Sequence, residues 1–190
     1  MDLLPWLNVC VRVPYHENAH GREKRMQPLY GLDAKAFDLT RKTGAVTVRP
    51  LTKADRAHWD RLWEAYLAFY ETALPPTQYD LTFLRYLDPA EPMFCYLAEH
   101  GGSPRGLVHI ILHRHGWLEG PTCYLQDLFV DGQERGTGMG YALIEHVYAV
   151  MTAAGGERVY WLTHETNATA RKLYDRVAKN AGFIQYTRTL

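Results

Sequence analysis

The chain lacks any apolar run approaching the ~20 residues that a membrane-spanning helix needs, so no membrane association is expected. It also lacks net charge, since 21 Lys and Arg balance 21 Asp and Glu. A nucleic-acid binder usually carries a basic excess, so nucleic acid is not expected as a partner, and no acidic excess points to a strongly cationic one. Cysteine is scarce: Cys10, Cys95 and Cys123 form an odd set with no C-x-x-C pair. That argues against a disulfide framework and a cysteine zinc site, and fits a reducing cytoplasm. The N-terminus has no basic start and is broken by Pro5, so a signal peptide is not expected. Internal repeats and low-complexity tracts are absent too.

Apolar residues make up 47% of the 190 positions, enough to build the core of one compact domain. Residues 1–44 mix Pro5, Pro14, Gly21 and the charged run Arg22–Arg25 with no sustained period. They read as an extension, loosely docked or disordered, ahead of a domain over residues 45–190. From Val46 the pattern sharpens. Val46–Arg49 alternates as a strand, and Thr52-Lys53-Ala54-Asp55 has the form of a helix-starting capping box. Trp59, Leu62, Trp63, Tyr66, Leu67 and Tyr70 then recur at helical spacing until Pro75-Pro76. A short second helix over Leu81–Leu87 follows, then a hairpin of Met93–Glu99 and Gly106–His113, and a strand over Cys123–Val130. A helix over Gly138–Ala154, a strand over Arg158–Thr163, a helix from Thr169 to about Asn180 and a last strand over Phe183–Thr189 complete the reading. This order predicts an α/β fold, a mixed sheet with helices on both faces.

The most informative segment runs from Leu128-Phe129-Val130 through Arg135-Gly136-Thr137-Gly138-Met139-Gly140 to Tyr141. A buried strand enters a glycine-rich turn that opens an amphipathic helix. Glycine lets the backbone come close to a ligand, and the first N–H groups of a helix have no internal partner and favour negative charge. Arg135 adds a guanidinium suited to phosphate. The turn therefore reads as a pyrophosphate cradle. It does not end in the Gly-Lys-Ser/Thr of a P-loop, and its G-x-G-x-G spacing and late position do not fit a dinucleotide fold. It does fit the R/Q-x-x-G-x-G/A pattern, as Arg135, Gly138 and Gly140.

A second pattern falls downstream, Asn167-Ala168-Thr169-Ala170-Arg171-Lys172-Leu173-Tyr174. Together with the turn it resembles the GNAT superfamily of N-acetyltransferases, over about residues 46–190. Tyr124–Val130 is most similar to polyamine and small-amine acetyltransferases, and Leu173–Phe183 to fungal enzymes acting on histones, polyamines or D-amino acids. The resemblance implies a mixed, mostly antiparallel sheet whose fourth and fifth strands splay apart, with acetyl-CoA as co-substrate and no metal. It implies that Leu128, Phe129 and Val130 bond the pantetheine arm through their backbone and that Arg135, Gly136, Thr137, Gly138, Met139, Gly140 and Tyr141 hold the pyrophosphate. Asn167 would bond the cofactor arm, and Tyr174 would protonate the leaving thiolate as the catalytic acid. The acceptor implied is the primary amine of a small molecule, such as a polyamine or amino acid, or of a protein. A non-catalytic acyl-CoA-binding module is the alternative. Dimers are common in such enzymes, which leaves a homodimer open.

Two departures stand out. Relatives carry a glutamate, as an amine base, where this chain has Gln126, which cannot accept a proton. By strand alternation Asp127 should face the other way. The usual Tyr-x-x-x-Gly-Phe spacing is stretched to Tyr174…Gly182-Phe183. His109, His113 and His115 share a face if the strand alternates, which would suit a metal or a base, but no spacing supplies a fourth ligand. Glu71 and Asp80 flank the proline loop where an acceptor amine would lie.

Overall fold

The structure, a computed structural model, describes residues 29–189. The charged run Arg22–Arg25 and Cys10 lie outside them. Six strands form one sheet in chain order: β1 (Arg41–Thr43), β2 (Val46–Pro50), β3 (Met93–His100), β4 (Ser103–His113), β5 (Thr122–Val130) and β6 (Arg158–Tyr160). All neighbours are antiparallel except β5 and β6, which run parallel. Helices α1 (Arg56–Phe69) and α2 (Pro76–Leu87) follow β2, α3 (Met139–Ala154) joins β5 to β6, and α4 (Ala168–Val177) follows β6.

Strand alternation sorts the core into two clusters. On β3, Tyr96 and Ala98 join the side chains of α3 on one side, while Cys95 and Leu97 join those of α1 and α2 on the other. The same alternation on β4 sends Val108 and Ile110 toward α3 and Leu107 toward α1. Helix α3 is mostly buried, with Leu143, Ile144, Val147 and Val150 sealed against the sheet. Helix α1 begins as expected: Thr52 and Asp55 form a reciprocal capping box through a 3-10 turn, and Asp55 also pairs with Arg49 at 2.7 Å. Helix α2 starts earlier than expected, with Pro76 in its first turn, where the missing N–H is no loss.

Two expectations meet a different arrangement. Residues 29–44 do not hang loosely. Two 3-10 turns bury Leu32, Ala36 and Phe37 against the α3 side, Asp33 N–H bonds the Ala154 carbonyl at 3.2 Å, and β1 pairs with β2. Turns this short leave no period to read. At the other end, Phe183–Thr189 forms no strand. Phe183, Ile184 and Tyr186 are 87%, 75% and 84% exposed, and the outer edge of β6, beside which such a strand would lie, is unpaired among the described residues. Alternation predicts the tendency to extend, but pairing needs a neighbour.

Candidate active site

Strand β5 touches β6 over three residue pairs only, Thr122–Arg158, Cys123–Val159 and Tyr124–Tyr160. β5 then runs on to Val130 while β6 stops at Tyr160. The sheet opens there as a wedge, and among the described residues the β5 backbone from Leu125 onward has no strand on that side. This is the expected splay, between the fourth and fifth strands counted from Val46. It makes a cleft of about 770 Å³ bounded by the end of β5, the turn before α3, the exposed face of α1 and the helix α4.

The two sequence patterns converge on this cleft. Leu128, Phe129 and Val130 line it from β5, while Arg135, Gly136, Gly138, Met139, Gly140 and Tyr141 line it from the turn and first helical residues, and Asn167 and Tyr174 close it from α4. Thr137 is the exception: it is off the wall, and its hydroxyl donates to the Glu134 carbonyl at 2.7 Å. Gly136 and Gly138 have φ of +84° and +89°, the left-handed region that side chains resist. Gly138 is also the N-cap of α3 and supplies no side-chain cap, so the first N–H groups of the helix stay available to a ligand. A Cβ on Gly138 would meet no protein atom within 4 Å, so the space beside it is open. Gly140 differs: a Cβ there would come to 3.2 Å from Leu173 of α4, which makes it a packing glycine.

Charge follows the same layout. Arg135, Lys172 and Arg176 line the cleft against one acid, Glu134, which is itself held by His100 at 2.9 Å. The sequence patterns do not single out Lys172 and Arg176, although both lie on the helix of the second motif. A polyanionic ligand would be favoured at this rim.

Asn167 acts locally, as the N-cap of α4, where its Oδ1 accepts from Ala170 N–H at 3.3 Å. Tyr174, on the same helix, packs edge-on against Trp161 with ring centroids 5.3 Å apart. Burial, with the nearby Tyr70, pushes its phenol up to about 12, so it keeps its proton across the physiological range. A group in that state can donate a proton and cannot serve as a base near pH 7.

From α1, Tyr66, Phe69 and Tyr70 add an aromatic wall; Phe69 and Tyr70 are half exposed, and Tyr66 and Tyr70 touch edge-on at 5.1 Å. Glu71 and Asp80 do not line the cleft, and Asp80 pairs with Arg56 at 2.8 Å. The three histidines do not converge. His109 is fully buried, whereas His113 bonds Tyr160 and His115 meets Arg158 at the surface. Among the described residues no group of three or more His, Cys, Asp or Glu is placed to hold a metal.

The strand that carries Gln126 holds a further correction. Register between β4 and β5 shifts after His109–Asp127, so that Ile110 pairs with Leu125 and Gln126 is the extra residue of a β-bulge. The bulge resets the alternation. Asp127 therefore faces α1 and α2, where its Oδ2 lies 2.9 Å from His109 Nδ1. Parity counting cannot see an inserted residue.

Known proteins share the sequence pattern or the fold. The profile of the Acetyltransferase (GNAT) family matches residues 59–178. The D-amino-acid N-acetyltransferase HPA3 of Saccharomyces cerevisiae is 32% identical over 145 residues, which are 75% of this chain and 90% of the yeast protein. The fold is similar to the ribosomal-protein-alanine N-acetyltransferase of Brucella melitensis, with a TM-score of 0.64, 18% identity, and coverage of 77% of this chain and 99% of that one. It is also similar to AAC(6')-Iy in complex with a bisubstrate analogue, CoA-S-monomethyl-acetylneamine, with a TM-score of 0.66, 19% identity, and coverage of 76% and 98%.

Proposed function

The chain belongs to the GNAT acetyltransferase family, and from that premise we propose that it moves the acetyl group of acetyl-CoA to the primary amine of a small molecule, a D-amino acid first among the candidates. The observation that carries this is the meeting of the glycine turn and Tyr174 in one cleft beside an open strand. The D-amino-acid preference rests on the yeast relative and on the aromatic wall of α1, which offers an apolar seat for a side chain.

In this reading the pyrophosphate lies on the N–H groups that open α3, with Arg135 at its rim and Lys172 and Arg176 across the cleft. The backbone of Leu128–Val130 pairs with the extended arm as a missing strand would, and one of its N–H groups faces the carbonyl oxygen as it gains charge. The acceptor nitrogen attacks from the Tyr66–Tyr70 side, forming the C–N bond as the C–S bond breaks. Tyr174 gives its proton to the departing sulfur, and the proton that the attacking nitrogen sheds as it becomes an amide returns to the phenolate. Asn167 fixes the start of α4 and so the height at which Tyr174 stands.

A test is acetyl-CoA consumption with D-alanine, D-lysine, L-lysine, spermidine, an aminoglycoside and a lysine peptide. Turnover of the D-amino acids above the others supports the proposal. Turnover of the peptide alone would overturn the small-molecule assignment. Tight acetyl-CoA binding with no turnover of any amine would favour the non-catalytic module, the reading to which Gln126 lends weight.

A further inference from the structure

A buried histidine–aspartate pair lies behind the aromatic wall, and none of the steps above uses it. Trp59 Nε1–H donates to His109 Nε2 at 2.9 Å, in the core. An indole nitrogen can only donate, so Nε2 must be the accepting nitrogen. The ring proton therefore sits on Nδ1 and is donated to Asp127 at 2.9 Å. His109 is thus the neutral Nδ1–H tautomer, and with Asp127 as a carboxylate the pair carries one net negative charge while 0% and 6% exposed. Among the described residues, His109 is the one side chain hydrogen-bonded to Asp127 within 3 Å.

The groups that face this charge are all acids or phenols. They are Tyr66 and Tyr70 from α1, Tyr86 from α2, Cys95 from β3 and Tyr124 from β5. Burial raises the pKa of each, and the charge of Asp127 raises it further. Among the described residues no lysine or arginine pairs with the carboxylate. An uncompensated buried charge is costly, and such groups cluster at functional sites. Tyr66 is the link to the cleft: Trp63 touches both Tyr66 and His109, with ring centroids 5.2 and 5.0 Å apart, Asp127 is among the groups that raise the Tyr66 phenol, and the Tyr66 ring lines the same cleft as Tyr174.

We propose that Asp127 is the proton acceptor for the amine substrate, acting through Tyr66, with Trp59 and His109 holding the carboxylate in place. This rests on the acetyltransferase reading above. The acceptor enters as an ammonium ion. Its nitrogen passes one proton to Tyr66 Oη as Tyr66 passes its own to Asp127. The amine becomes neutral, the phenol is unchanged and the carboxylate becomes a carboxylic acid. Charge is thereby cancelled on both sides, +1 on the substrate and −1 on the pair. After product leaves, the proton returns by the same path to solvent, the one proton that net conversion of an ammonium ion to an amide releases. The role that Gln126 cannot fill thus passes to its neighbour, which the bulge turns to the right side.

The test compares wild type, Asp127→Asn and Tyr66→Phe, with acetyl-CoA and the best amine of the panel, as kcat/KM against pH. Each variant is also assayed with hydroxylamine, which is already neutral at pH 7. Both variants should lose roughly 100-fold in kcat/KM for the ammonium acceptor at pH 7. The deficit should shrink about tenfold per pH unit toward the pKa of the amine, and should be absent with hydroxylamine. Acetyl-CoA affinity should be unchanged. Retention of activity within threefold at pH 7, or an equal loss with both acceptors at every pH, would overturn the proposal. If Asp127→Asn fails to fold, Tyr66→Phe alone decides, because it leaves the buried pair intact. If wild type acetylates no amine, the acetyltransferase assignment falls and this proposal with it. If wild type is active and the variants match it, only this proposal falls.

Discussion

Replacing Tyr174 with phenylalanine isolates one atom of the proposed chemistry. The ring keeps its edge-on contact with Trp161, and the hydroxyl makes no hydrogen bond to another described residue, so the fold should lose less than about 0.5 kcal/mol. With its pKa pushed up to about 12, the phenol is ionised in only about 1 molecule in 10⁵ at pH 7. Essentially every wild-type molecule therefore holds the proton, and the variant loses the whole of its contribution. A positioned general acid contributes about 10²–10⁴-fold, or roughly 3–5 kcal/mol of barrier. The assay is release of coenzyme A measured with a thiol reagent against an enzyme-only blank. Expected are a fall in kcat of at least ~100-fold, an acetyl-CoA affinity by calorimetry within threefold of wild type, and an unchanged melting temperature. Because the pKa is raised, the wild-type rate should show no alkaline loss from this group below about pH 11. A kcat within threefold of wild type, with binding and folding intact, would refute the assignment of Tyr174 as the acid.

Gly138→Val should weaken acetyl-CoA binding by at least tenfold, since the added atoms fill space that only a ligand would occupy; the left-handed backbone adds roughly 1–2 kcal/mol of strain, and unchanged affinity by calorimetry would count against the cradle. Asp55 is held near 2 instead of 3.8, chiefly by its hydrogen bonds from Arg49. A depressed carboxylate stabilises above its unfolded pKa, so about 2 kcal/mol should be present above pH 4 and lost as pH falls through 2, read as the urea midpoint against pH and absent in Asp55→Asn. His146 is lowered to about 4, first by burial and then by Arg41, and neither ring nitrogen has a hydrogen-bond partner among the described residues. Its neutral form is the stable one, so stability should erode by about 3 kcal/mol as pH falls from 6.5 to 4, and His146→Leu should flatten that slope. If the chain is a homodimer, the bare edge of β6 and the exposed Phe183 and Ile184 are the surfaces a second copy would cover; light scattering should then give twice 21.9 kDa, and Phe183→Asp with Ile184→Asp should return the monomer mass.

The parts of this molecule legible in its sequence are those set by local pattern. The glycine turn, the capping box at Thr52 and Asp55, and the helices α1 and α3 each carry a signal within one or two turns of chain. The residues of the cleft are legible because strand, turn and helix follow one another directly, from Leu128 to Tyr141. What cannot be read depends on neighbours far along the chain. The docking of Leu32 and Phe37 is decided by α3, more than 100 residues away. The fate of Phe183–Thr189 depends on a pairing partner. The position of Asp127 depends on one extra residue in β5, and the lock on His109 comes from Trp59, a residue whose helical spacing declares only that it is buried. Thr137 and Asn167 show a milder limit: both fit the motif, yet the bonds seen for each are local ones, to the Glu134 carbonyl and from the Ala170 amide.

The sheet also works as a partition. Its α3 side carries the glycine turn proposed to hold acetyl-CoA, and its α1 side carries the aromatic rings proposed to seat the amine. Side chains on opposite sides share few neighbours, so their substitutions should combine nearly additively. A lineage could therefore exchange one acceptor for another by altering α1 and α2 alone, while the donor half of the enzyme stayed as it was.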